Sequence, residues 1–170
     1  MSKYIYPNDV VTSNSFASYL KYKYKQDNEY SLEDTLYFEA LKGLESLGLN
    51  PEYKGTTIYA EVIKELIVEL NSAKTEDEYN NVLKSASYRY SNLYLYVAQD
   101  NDTGCNTIIE TIERAIYISK KNEENTAFNN IQIDHDNTKE IGKIALNIAN
   151  HILEKEDLTL KNSFVRQRIN

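Results

Sequence analysis

The residues of this chain with metal-binding or nucleophilic side chains are two histidines, one cysteine and two aspartate-rich stretches. Neither His135 nor His151 belongs to an HExxH pair or to a Cys/His cluster with zinc-ligand spacing. Cys105 falls among apolar residues at helical spacing, so we expect a buried small side chain rather than a nucleophile. Neither the stretch DNDTG from Asp100 nor DHDN from Asp134 has a glycine and a terminal glutamate at the spacing of an EF-hand loop. We interpret both as turns and helix caps.

Motifs of catalysis are missing from the sequence as well. It contains no glycine-rich phosphate loop and no GxSxG nucleophile elbow. Carboxylates are plentiful, but no spacing places two of them in one cleft. We therefore predict a protein that is not an enzyme and that uses no metal or cofactor.

The composition favours a small helical protein of one domain. The chain has 170 residues, of which 41% are apolar, and only 5 glycines and 2 prolines, too few for many β-turns. The 26 acidic residues outnumber the 19 basic ones, and the net charge of -7 argues against indiscriminate binding to nucleic acid or anionic membranes. The sequence has no run of about 18 apolar residues and no signal-peptide pattern, so we predict a cytoplasmic protein without a membrane partner.

The clearest elements are amphipathic helices with recognisable caps. Ser31 with Asp34 predicts the start of a first helix, and Gly48 predicts its end. Thr56 or Thr57 is predicted to cap a second helix, and Thr75 with Glu78 a third. The predicted inward residues of the second helix are Val62, Ile63, Leu66, Ile67 and Leu70, and those of the third are Tyr79, Val82, Leu83 and Ala86.

The remaining segments range from ambiguous to strongly helical. The segment SYLKYKYKQ within residues 1–27 fits either a strand or a short helix, and we predict a helix over 88–98 despite its tyrosine-rich composition. Residues 105–121 are predicted to form a strongly amphipathic helix, and 122–136 are predicted to be irregular. Thr138 is predicted to cap a last helix whose inward residues are Ile141, Ile144, Ala145, Ile148, Ala149 and Ile152.

The middle of the chain has the pattern of a helix-turn-helix. A first helix ends near Val97 and Ala98, a polar turn contains Gly104, and a second amphipathic helix follows. At about 100° per residue, one face of the second helix gathers the apolar residues Cys105, Ile108, Ile109, Ile112, Ala115 and Ile116. The opposite face gathers Thr107, Glu110, Arg114, Tyr117 and Lys121. In a DNA-binding protein this outward face would enter the major groove. The same pattern also fits two amphipathic helices that only pack against the hydrophobic core and bind no DNA.

Three blocks of the chain, in order, resemble the C-terminal effector domain of the sporulation initiation response regulator, the stage 0 sporulation protein A family. The blocks are LGLNPEYKGTTIYAEVI (47–63), YLYVAQDNDTGCNTIIETIERAI (94–116) and NTKEIGKIALNIANHILE (137–154). The first two align with the family without gaps. The resemblance implies an all-α bundle of about six helices over residues 30–154, between an N-terminal extension (1–29) and a C-terminal tail (155–170). It also implies a bacterial transcription regulator that pairs on adjacent DNA elements.

The departures from the family fall on the helix that would read DNA. Thr107 and Glu110 stand where the family has arginines, Arg114 stands for a histidine, and Glu113 replaces a basic residue. A glutamate at the groove repels phosphates, although it can also accept a hydrogen bond from cytosine N4. Because only the N-terminal extension 1–29 precedes this region in the sequence, we expect no receiver domain of the family in front of it. From Lys84 to Lys121 the net charge is only +1.

Two hypotheses of different classes remain. The first is a helix-turn-helix protein that binds double-stranded promoter DNA and regulates transcription, with Asn106, Thr107, Glu110, Arg114 and Tyr117 facing the bases and Lys84, Arg89, Lys120 and Lys121 contacting phosphates. The alternative is a protein-interaction module that has kept the fold, has lost DNA binding and modulates a related regulator. Its partner would be a second copy or a related regulator in a mixed dimer.

Overall fold

The computed structural model describes residues 32–122 and 127–155, and all six regular elements in these ranges are α-helices. In chain order they are α1 (Leu32–Ser46), α2 (Lys54–Ser72), α3 (Glu76–Ser85), α4 (Asn92–Asp100), α5 (Cys105–Asn122) and α6 (Thr138–Lys155). The predicted all-α bundle of about six helices is thereby confirmed. The predicted extension at 1–29 with its strand or helix, the Ser31 cap and the tail from residue 156 lie outside the described residues.

Helix α2 lies at the centre of the bundle and packs against each of the other five helices. Its predicted inward residues, from Val62 to Leu70, are all buried, and so are nearly all residues of its first three turns. A helix that is apolar on most of its circumference is stable only when neighbours surround it. This explains why α2 occupies the core position.

The start of α2 differs from the prediction. The helix begins at Lys54 after an extended Tyr53, and no side chain caps it. The Tyr53 carbonyl accepts hydrogen bonds from the N–H groups of Thr56 and Thr57 at 3.1 and 3.3 Å. The Thr57 hydroxyl donates back to the Lys54 carbonyl at 2.8 Å, inside the first turn. The prediction of a threonine cap was wrong because both threonines are buried helical residues.

Two glycines have clear structural roles around α2. Gly48 ends α1 with φ of 98°, and Leu49 N–H donates to the Leu44 carbonyl at 3.0 Å, which is the predicted left-handed stop. Gly55 lets α2 approach α5 closely. A β-carbon at Gly55 would lie 2.7 Å from the Ala115 β-carbon and still closer to the Thr111 carbonyl oxygen.

Helix α3 begins as predicted, whereas α4 begins later. The Thr75 hydroxyl accepts from Glu78 N–H at 3.1 Å, and the Glu78 carboxylate accepts from Lys74 N–H at 2.6 Å. Residues 86–91 form turns, so α4 starts at Asn92 and not at residue 88. The tyrosine-rich start of the predicted 88–98 helix is therefore not helical.

Helix α6 closes the bundle over α2. The buried Tyr59 hydroxyl of α2 donates to the Ile141 carbonyl at 2.6 Å. Thr138 is the first helical residue rather than the cap, because the carbonyl of the preceding Asn137 accepts the first helical bond, from Ile141 N–H at 2.9 Å. The Asp136 carboxylate accepts from Thr138 N–H at 3.1 Å. Two of the six predicted inward residues, Ile144 and Ile148, are only half-buried, since they line a groove of about 500 Å³ between α1 and α6.

None of the helices in the described ranges is both long and apolar enough to cross a bilayer.

Candidate nucleic-acid interface

Helices α4 and α5 pack against each other and are joined by a four-residue turn, 101–104. Asp102 adopts the left-handed conformation, with φ of 53°. Thr103 N–H donates to the Ala98 carbonyl at 2.9 Å, and Asp102 N–H donates to the Gln99 carbonyl at 3.2 Å. These two bonds form a Schellman motif, which ends α4 and redirects the chain. Gly104 lies in this turn as predicted, and Asp102 supplies the left-handed backbone conformation.

The turn is also anchored to the core. The Asn101 side-chain amide donates to the Glu61 carboxylate and to the Val97 carbonyl, both at 2.9 Å. Glu61 belongs to α2 and is buried. A buried carboxylate needs hydrogen-bond donors, so this contact holds the α4–α5 turn against the central helix.

The inward face of α5 is the one that the apolar pattern predicts. All six predicted residues of this face are buried: Cys105, Ile108, Ile109, Ile112, Ala115 and Ile116. Burial raises the pKa of the Cys105 thiol, which lowers the fraction of the reactive thiolate form at neutral pH. Cys105 therefore behaves as a small core residue at the start of α5.

The outward face of α5 changes in character along the helix. Asn106, Thr107 and Glu110, in the first two turns, are exposed, whereas Arg114 and Tyr117 are half-buried. The side chain of Lys121 lies outside the described residues. A solvent-facing surface for contact with a groove is thus concentrated in the N-terminal half of α5.

Glu113, the other acidic departure from the family on α5, does not lie on the open surface of the helix. It is 8% exposed, and the Asn137 side-chain amide donates to its carboxylate at 2.6 Å. Burial raises the pKa of the Glu113 carboxyl, while the Asn137 hydrogen bond and the nearby Arg89 charge oppose this rise. The acidic character of the outward face therefore rests on Glu110.

The segment 127–137, which precedes α6, covers the C-terminal half of α5. The Tyr117 hydroxyl donates to the Gln132 carbonyl at 3.2 Å. The Lys120 ammonium group donates to the Ile131 carbonyl at 2.9 Å. Lys120, a predicted phosphate contact, is thus partly buried and has a backbone partner.

Arg89, another predicted phosphate contact, connects three segments. Its guanidinium donates to Asn106 at 3.1 Å and to Thr138 at 3.4 Å, and it forms an ion pair with Asp136 at 3.2 Å. Hydrogen bonds from Thr138 and the Arg89 charge hold the pKa of the Asp136 carboxyl below its usual value. Tyr90 also donates to the Asn106 side-chain oxygen, at 3.0 Å. Arg89 therefore positions Asn106 and fastens the start of α5 to the start of α6.

The segment around α4 exposes several large side chains. Tyr88, Tyr90 and Tyr96 are 60%, 57% and 58% exposed, and Leu95 is 40% exposed. The Tyr88 and Tyr90 rings meet edge to face, with centroids 6.0 Å apart. We call these four residues the exposed tyrosine segment. Lys84, the fourth predicted phosphate contact, is exposed near the end of α3.

Of the two histidines, His135 is exposed, with Nδ1 3.0 Å from the Ile133 carbonyl oxygen, and His151 lines the groove between α1 and α6. Within the described ranges, no three side chains of His, Cys, Asp or Glu are grouped as ligands of one metal ion.

Sequence reasoning missed the residues that organise the region between α5 and α6. Asn137 is buried, and besides Glu113 its side chain bonds the Gln132 backbone at both N–H and carbonyl. The spacing of Asp136 and Thr138 is a recognisable capping signal that could have located the start of α6. Nothing in the local sequence points to the Arg89 contacts, which join residues 17 and 47 positions apart.

No family model, no curated protein and no solved structure matches this chain.

Proposed function

We propose that this protein is a cytoplasmic helix-turn-helix regulator of transcription that binds double-stranded promoter DNA and is related to the sporulation-regulator effector domains. The observation that carries the proposal is the α4–α5 pair. Its turn is locked by the Schellman motif at Asp102, and the first turns of α5 expose polar side chains while the opposite face is buried. DNA-reading helices contact base edges through their N-terminal residues.

The exposed residues of α5 offer distinct hydrogen-bonding groups to bases. The Asn106 side-chain oxygen already accepts from Arg89 and Tyr90, so its amide nitrogen is left as the donor. Acceptors such as guanine O6 and N7 or thymine O4 would match it. Glu110 is an acceptor for cytosine N4, and Thr107 can serve either role. Arg114, half-buried one turn farther on, would lie near the edge of the contact.

Fluorescence anisotropy at low salt tests this proposal directly. The probes are a labelled duplex carrying the family's promoter element and a scrambled duplex of equal length. We expect saturable binding with a dissociation constant of about 1 µM or tighter, and weaker binding to the scrambled duplex. Absence of saturable binding to both duplexes would overturn the proposal.

A variant designed to bind DNA more tightly tests whether α5 is the contact surface. Replacing Thr107 and Glu110 with arginine removes an exposed carboxylate and adds two cations at the proposed groove surface. We expect the affinity for both duplexes to rise by about tenfold or more at low salt. The matched control, Ser72→Arg with Glu76→Arg, makes the same charge change at the exposed α2–α3 turn and should have a much smaller effect. Equal gains in both variants would show that α5 is not the contact surface.

A second function, a protein-interaction module that acts on a related regulator, is favoured by the exposed tyrosine segment. Three tyrosines at almost 60% exposure offer the aromatic side chains that are enriched in protein interfaces. In addition, two of the predicted phosphate contacts, Arg89 and Lys120, are already engaged by intramolecular partners, which weakens the case for DNA binding.

Size-exclusion chromatography with light scattering tests this second function. The chain is mixed with the effector domain of a sporulation regulator, with and without the substitutions Tyr88→Ser and Tyr96→Ser. A mixed complex that these substitutions abolish, from a chain that binds no DNA, would favour the module. If no mixed complex forms, the module hypothesis fails in this form.

A further inference from the structure

Three exposed lysines lie where α3 ends and α6 begins. Lys84 is in the last turn of α3, and Lys139 and Lys143 are in the first two turns of α6. Within the described ranges, none of the three ammonium groups forms an ion pair or a hydrogen bond. We call them the lysine cluster.

Gly142 brings the two helix ends together. A β-carbon at this position would overlap the Ala86 carbonyl oxygen, so the α6 backbone lies directly on the end of α3. Residues at positions i, i+3 and i+4 share one face of a helix, and Lys139, Gly142 and Lys143 have this spacing. Lys139 and Lys143 therefore lie on either side of Gly142, which contacts the chain at Ala86. Ala86 follows Lys84 by two residues.

Arg89 connects the lysine cluster to the exposed first turns of α5, which are the candidate reading surface. The Arg89 guanidinium contacts both Thr138, the residue before Lys139, and Asn106 at the start of α5. Asn106 and the first turn of α6 thus lie on either side of one side chain. A duplex contacting Asn106 would present backbone phosphates to the adjacent surface.

Helix stability does not favour a lysine at position 139. The first turn of a helix carries a partial positive charge, so a cation there is unfavourable. Within the described ranges, no ion pair with a neighbouring carboxylate compensates for it. Asp136 is paired with Arg89, and Glu140 continues the helical stripe of Ile144 and Ile148 that faces the groove beside α1.

We infer that Lys84, Lys139 and Lys143 form the phosphate-backbone contact of this protein, at the junction of α3 and α6, in place of the basic residues that the exposed first two turns of α5 lack. The inference rests on the proposed DNA-binding function and names the surface that would provide its electrostatic affinity. It replaces Arg89 and Lys120 in that role, since both hold the fold together. The ligand class is the phosphodiester backbone of duplex DNA, which is recognised without regard to base sequence.

The salt dependence of DNA binding tests the inference. Each phosphate contact contributes about 0.9 to the slope of log K against log salt concentration, measured over about 0.05 to 0.2 M salt. The double variant Lys139→Gln, Lys143→Gln should therefore reduce the magnitude of the slope by about 2 and weaken binding at low salt by about tenfold or more. The preference for the promoter element over the scrambled duplex should persist, because phosphate contacts carry no sequence information.

The matched control is Lys42→Gln with Lys74→Gln, which removes the same charge from α1 and from the turn before α3. It should leave the slope unchanged, and circular dichroism should show both variants folded. If both double variants have the wild-type slope and affinity, the inference is wrong while the proposed function stands. If the wild-type chain binds neither duplex, both are overturned.

Discussion

Replacing Gly55 with alanine tests the closest approach between the central helix and the candidate reading helix. The added methyl group would lie 2.7 Å from the Ala115 β-carbon, whereas carbon atoms in contact prefer about 3.5–4.0 Å. The Thr111 carbonyl oxygen is closer still and belongs to the α5 backbone, which no rotamer change can move. Helix α5 would have to shift by about 1 Å, a typical overpacking strain.

The expected loss of stability follows from two opposing effects. Overpacking a well-packed contact costs about 1–3 kcal/mol, and alanine regains at most about 1 kcal/mol over glycine inside a helix. Because the clash is with backbone, we expect a net decrease of about 2 kcal/mol in the free energy of unfolding. For a chain of this size the melting temperature should fall by about 4–8 °C.

Urea unfolding followed by circular dichroism measures this loss. The midpoint should decrease while the slope m stays at its wild-type value, as expected when the folded state is strained but equally compact. Gly104→Ala is the matched control beside the same helix. A β-carbon there meets nothing within 4 Å, and Gly104 is the N-cap of α5, where alanine is less favourable than glycine, so this variant should lose no more than about 1 kcal/mol. Equal midpoints for Gly55→Ala and wild type would refute the close α2–α5 crossing.

Three further substitutions test buried polar contacts by urea or thermal unfolding. Asn137→Ala removes the donor to Glu113 and both bonds to the Gln132 backbone, so the free energy of unfolding should fall by about 2–4 kcal/mol. A loss below about 0.5 kcal/mol would contradict those contacts. Tyr59→Phe leaves the Ile141 carbonyl without its buried donor and should cost about 1–3 kcal/mol, which an unchanged midpoint would disprove. The folded-state pKa of Glu113 is raised, so its contribution to stability is present below the unfolded-state pKa and is lost as pH rises through the folded-state value. Glu113→Gln should therefore stabilise the protein at pH 7 relative to wild type, with a gain that shrinks toward pH 4; a pH-independent difference would contradict this reasoning.

The helices that the sequence predicts well are those with a sustained apolar stripe. The spacing of Ile108, Ile109, Ile112 and Ile116 indicates which side of α5 is buried, and these residues are buried. The cap at Thr75 and the stop at Gly48 were equally predictable, because each depends on hydrogen bonds to the adjacent turn. Such local features need no knowledge of the rest of the fold.

Features that depend on distant partners could not be predicted in the same way. A glutamate at position 113 falls on the polar side of a helical projection, and only Asn137, 24 residues away, makes its burial tolerable. The late start of α4 has a similar origin. The Ser91 hydroxyl donates to the Ser85 carbonyl at 2.7 Å, and the Tyr94 hydroxyl donates to the Ala86 carbonyl, which together fold 86–91 into turns. The roles predicted for Arg89 and Lys120 rested on charge alone, and charge does not indicate an intramolecular acceptor.

The hydrogen bond between Tyr59 and Ile141 has a consequence for biosynthesis. Its two residues are 82 positions apart, and ribosomes add about 5–20 residues per second. For about 4–16 seconds after Tyr59 is made, the central helix α2 therefore has no α6 to cover it. A chain stalled or truncated before Ile141 would leave that surface open to aggregation or chaperone capture. Full-length synthesis is thus a condition for the bundle to close, and a nascent chain halted before α6 should be protease-sensitive throughout α2.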